Sequence, residues 1–65
     1  MKVNVEVEIN NSPRMPINPF YTEHEFIFDD DENVFGRVLE VRKYFKTKYG
    51  ENIDLTILNC VQIAE

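Results

Sequence analysis

The stretch KVNVEVEIN, residues 2–10, constrains this chain more than any other part of it. Val3, Val5, Val7 and Ile9 alternate without a break with Asn4, Glu6, Glu8 and Asn10. A two-residue period puts the two sets on opposite faces of a β-strand, one face dry and one wet. A lone strand satisfies neither its backbone nor its apolar face. The rest of the chain must therefore supply strands for its edges and a cover for the valines.

A second strand is expected at about residues 21–29, YTEHEFIFD. Thr22, His24, Phe26 and Phe28 share one face, and the phenylalanines mark it as the core side. Tyr21, Glu23, Glu25 and Ile27 share the other face. Between the two strands, residues 11–20 carry Pro13, Pro16 and Pro19. Proline fixes φ and lacks an N–H, so an extended loop is expected there. The three-residue proline spacing suits a polyproline II segment of the kind SH3-type grooves take. Met15 and Ile17 offer the other reading, a loop tucked under the domain edge.

The spacing predicts a helix over about residues 31–49. Val34, Val38, Val41, Phe45 and Tyr49 form one stripe, with Phe35 beside it. Gly50 stands at the C-cap position. Arg42, Lys43, Lys46 and Lys48 fall in the last two turns, where the helix dipole favours cations. Asp29, Asp30 or Asp31 is expected to cap the start, with Asp29 and Glu32 at capping-box spacing. Residues 53–63 read as a third strand. Ile53, Leu55, Ile57, Val61 and Ile63 face one way, and Asp54, Thr56, Leu58, Cys60 and Gln62 the other.

These segments give a single α+β domain over residues 1–65 in β-β-α-β order. Strand three returns antiparallel to strand one. The expected fold is a three-stranded, mainly antiparallel sheet of order 2-1-3 with the helix on one face. Placing strand three parallel to strand two is the alternative, through a right-handed crossover. In a chain of 65 residues, such a core supplies only roughly 3–5 kcal/mol, so partners or oligomerisation often help.

Most chemistry is disfavoured by the residue inventory. Nucleophilic catalysis needs a nucleophile, a base and a group that orients the base. The chain has one serine (Ser12, in the proline loop), one cysteine (Cys60) and one histidine (His24, on a phenylalanine face). No enzyme and no cofactor are expected. One Cys and one His leave a zinc ligand set too short. Asp29, Asp31, Asn33 and Glu40 match four positions of a calcium loop, but Val34 stands where the turn needs glycine. Twelve acids against seven bases, a net charge of −5, argue against direct nucleic-acid binding and suit a basic partner. The N-terminal alternation is not a signal-peptide pattern, and no stretch reaches membrane-spanning length. Cys60 has no internal disulfide partner, which favours the reducing cytoplasm.

What remains is the wet face of the sheet. Glu6 and Glu8 on strand one would lie beside Glu23 and Glu25 on strand two, and Asp29, Asp30, Asp31 and Glu32 would extend the negative field along one edge. Tyr21, Ile27 and Leu58, with Cys60 beside them, sit among these acids, an apolar and aromatic element inside a charged rim that suits protein binding. In size, acidity and β-β-α-β layout the whole chain resembles the small proteins that phages make to disable host machinery. These include inhibitors of host RNA polymerase, anti-CRISPR proteins and other anti-defence factors. The resemblance implies inhibition by occlusion in the host cytoplasm, sometimes by imitating the charge of nucleic acid, and carries over no functional residue. The expectation is a non-catalytic protein-binding module that covers a basic surface of a larger protein. The alternative is a homodimer or assembly subunit joined through an edge strand, with its acids merely solvated.

Overall fold

The computed structural model describes residues 1–63. Four elements follow in order: β1 (Lys2–Asn10), β2 (Phe20–Ile27), α1 (Val34–Tyr49) and β3 (Asp54–Ile63). The sheet order is β2-β1-β3, and both pairings are antiparallel. The fold is thus the expected α+β arrangement, with β1 in the centre. Its alternation explains that place, because only the middle strand keeps a full apolar row under cover. Val3, Val5, Val7 and Ile9 are all buried, together with Phe26, Phe28, Val41, Phe45 and Ile53.

The helix leans towards β2. Its aromatic contacts with the sheet all reach that strand. Tyr44 stacks on His24 with centroids 4.0 Å apart, Phe45 meets Phe26 edge-on at 6.0 Å, and Tyr49 meets Phe20 at 5.1 Å. His24 is therefore a half-buried packing residue. The expected stripe holds at Val41 and Phe45, both buried, but Val34 and Phe35 stand exposed at its start.

The helix begins three residues later than its periodicity suggests, and its cap is neither Asp29, Asp30 nor Asp31. Asn33 takes an extended backbone (φ −76°, ψ 166°), and its Oδ1 accepts the Gly36 N–H at 2.8 Å. That satisfies one of the donors a helix start leaves open. The strand limits also move slightly, with β2 starting at Phe20 and ending at Ile27, and β3 starting at Asp54.

The proline loop closes the other end of the helix rather than extending into solvent as a polyproline segment. The buried Ser12 donates its hydroxyl to the Tyr49 carbonyl at 2.7 Å. Arg14 donates from one guanidinium nitrogen to the carbonyls of Thr47 and Lys48, at 2.8 and 2.9 Å. Those carbonyls belong to the last turn, which has no acceptor duties of its own to fulfil. Gly50 then turns the chain at φ +133°, so close to the loop that a Cβ there would stand 2.8 Å from Pro13 Cδ.

Strand β3 departs from the expected alternation. The pairs run Leu55 with Ile9 and Ile57 with Val7, then Asn59 with Glu6 and Cys60 with Val5, so Leu58 is an extra residue. This β-bulge reverses the phase of everything that follows. Cys60 and Gln62 turn to the helix side, while Val61 and Ile63 turn to the open face, opposite to the sequence expectation for all four. The physical reason is Asn59. An unbroken ladder would set its amide opposite Val5 on the apolar helix side of the sheet, a partly open position that favours an apolar side chain. With the bulge, Cys60, a small apolar side chain, takes that place.

Candidate functional site

The register fixes the open face row by row. Glu8 lies between Tyr21 and Thr56, and Glu6 between Glu23 and Asn59. Asn4 lies between Glu25 and Val61, and Lys2 between Ile27 and Ile63. Glu6 and Glu23 are thus direct cross-strand neighbours with like charge, an arrangement that costs folding energy. No ion pair reaches Glu6, Glu8, Glu23 or Glu25 among the described residues; the ammonium of Met1 pairs with Asp30 instead, at 3.4 Å.

Uncharged donors hold the acids in place. Asn4 Nδ2 donates to Glu23 at 3.1 Å, diagonally across the strands. The Tyr21 hydroxyl donates to Glu8, and this bond, together with the negative charge of Glu8, raises the phenol above its ordinary pKa. Beside them, Glu6, Tyr21, Thr22, Glu23 and the bulge residue Leu58 line a shallow hollow. Two facing carboxylates next to an aromatic ring and an aliphatic side chain form the chemistry that takes a lysine or arginine from a partner.

Asp29, Asp30, Asp31 and Glu32 form a separate group. They line a hollow at the start of α1 together with Glu40 from the helix. The row of Ile27 and Lys2 stands between this group and Glu25, so the two negative surfaces are not one field along an edge. Crowding marks the second group. A hydrogen bond with Glu40, some burial and the charges of Glu40 and Asp29 raise the Glu32 carboxyl pKa, while Arg37 pulls it down. Asn33, one of the calcium-loop matches, spends its side-chain oxygen on capping the helix.

All ten residues singled out from the sequence therefore lie in one of two places. Glu6, Glu8, Tyr21, Glu23, Glu25 and Ile27 share the open face, and Asp29, Asp30, Asp31 and Glu32 share the helix-start hollow. Sequence reasoning put Asn4 on the open face by alternation alone but missed Asn59 and Val61, whose places depend on the bulge. No helix among the described residues is long and apolar enough to cross a membrane. Compared with protein-family models, curated proteins and solved structures, the chain matches none.

Proposed function

We propose that the chain is a non-catalytic protein-binding module whose open sheet face docks on a basic surface of a larger protein. The observation that carries this reading is the pairing of Glu6 with Glu23 in a face that also holds Glu8 and Glu25 and, among the described residues, has Lys2 as its one cation. Folding gains nothing from opposing carboxylates, whereas a cationic partner converts the cost into attraction. Tyr21 and Leu58, both exposed, supply apolar contact beside the charges. By covering a surface that serves nucleic acid, such a module acts as an inhibitor, the role implied by the resemblance to phage host-takeover and anti-defence proteins. Its place of action in this reading is the cytoplasm, consistent with an exposed unpaired Cys60.

The test is affinity capture from a bacterial lysate followed by binding measurements on the identified partner. Affinity is expected to fall steeply as salt rises, and by more than tenfold when Glu6, Glu8, Glu23 and Glu25 are changed to Lys. Binding indifferent to both would remove the open face from the reading.

A further inference from the structure

Because α1 leans on β2, the helix side of β3 is left half bare. A groove of about 290 Å³ runs between the two elements. Val3 and Val5 lie at its base, Val34 and Val38 on the helix wall, and Ile57 and Cys60 on the strand wall. Beside it, the outer flank of the first half of the helix carries Phe35 and Leu39, one turn apart. Val34, Phe35 and Leu39 are 73, 72 and 52% exposed. The second half of the helix exposes Arg42, Lys43 and Lys48 instead. The exposed apolar surface of the helix is therefore confined to one corner, made of a ridge and the groove next to it.

We infer that this corner is a self-association surface, in which a second copy of the chain lays its Phe35–Leu39 ridge into the α1–β3 groove and receives the first copy's ridge in return. A two-fold axis brings the same patch of both copies together, so a ridge adjoining a groove is self-complementary. Charge favours a second copy here over any other face. The chain is net negative, at −5, yet no carboxylate lines the groove, whose charged side chain is Arg37, and β3 contributes one acid, Asp54, at its far end. Reciprocal burial of Val34, Phe35, Leu39 and the groove in both copies gives an interface at the small end of the specific range, that of a weak, concentration-dependent dimer. A domain this small gains most from such a cover.

Sedimentation of the full chain from about 1 µM to 1 mM tests the assignment. The mass is expected to rise from one chain to two. Phe35→Lys or Leu39→Lys, at exposed helix positions, should weaken the dimer at least tenfold. Ile27→Lys, equally exposed on the open face, should leave it unchanged. Added salt should preserve or strengthen the dimer, the opposite of its effect on the acidic face. Without any substitution, alkylation of the Cys60 thiol should slow as concentration rises. A single-chain mass throughout, even if the groove accepts an amphipathic helix from another protein, overturns the inference. So does a dimer that Ile27→Lys disrupts, or one indifferent to changes at Phe35 and Leu39.

Discussion

Glu32 shows at the scale of one residue how the acids behave when folding crowds them. Its carboxyl is held above the ordinary range, first by the hydrogen bond with Glu40, then by burial and by neighbouring charge. A carboxyl raised in the folded state contributes stability that is complete below its unfolded pKa. That contribution is lost as the pH rises through the folded value. The pair is thus favourable when it shares a proton and unfavourable once both groups ionise. Glu40→Gln removes the second charge and is expected to lower the Glu32 pKa towards the ordinary value. It should also flatten the stability loss as the pH rises above the ordinary carboxylate range. Carbon-detected NMR titration of Glu32, with urea unfolding below and above that range, reads the two effects. A Glu32 titration that Glu40→Gln leaves unmoved would place the cause in Asp29 instead. Tyr21 obeys the same sign rule at a higher pH, because Glu8 favours its protonated phenol.

Among the elements, legibility from sequence follows from where the deciding energy lies. The unbroken alternation of β1 and the phenylalanine face of β2 decide their own geometry, so order, pairing and the helix side could be read directly. The helix cap could not, since Asp29, Asp30, Asp31 and Asn33 are all good capping residues within one short run. The role of the proline loop was hidden too. Proline announces where a ladder stops, but nothing local says that Ser12 and Arg14 will meet carbonyls more than thirty residues away. The phase of β3 was least legible, because the bulge answers a conflict between Asn59 and Val5, which meet only after the strands pair. Asn59→Val removes that conflict. It is expected to let an uninterrupted ladder form, setting Val61 opposite Val3 under the helix. NMR contacts between Val61 and Val38 would report the change. If Cys60 stays opposite Val5, Leu58 is held in the bulge by something other than its neighbour.

For the whole molecule, the distribution of charge sets folding against binding. The buried residues form one thin layer between sheet and helix, and a core of this size leaves a margin of only roughly 3–5 kcal/mol. Against that margin, opposing two glutamates in the middle of the sheet is a measurable sacrifice. Glu23→Lys turns the cross-strand pair with Glu6 into an attractive one. It also gives up the hydrogen bond that Asn4 donates to the Glu23 carboxylate, which exposure to water weakens. The variant is expected to gain about 0.2–1 kcal/mol of stability, the range for a cross-strand pair. Its salt dependence should shrink as well, since salt screens the repulsion that the substitution removes. The same variant should bind the basic partner more weakly. Stability gained and binding lost by one substitution is the signature of a face shaped by its partner. A variant that lost stability would mean that the glutamates are supported by contacts within the fold, and that the open face is solvated surface and nothing more.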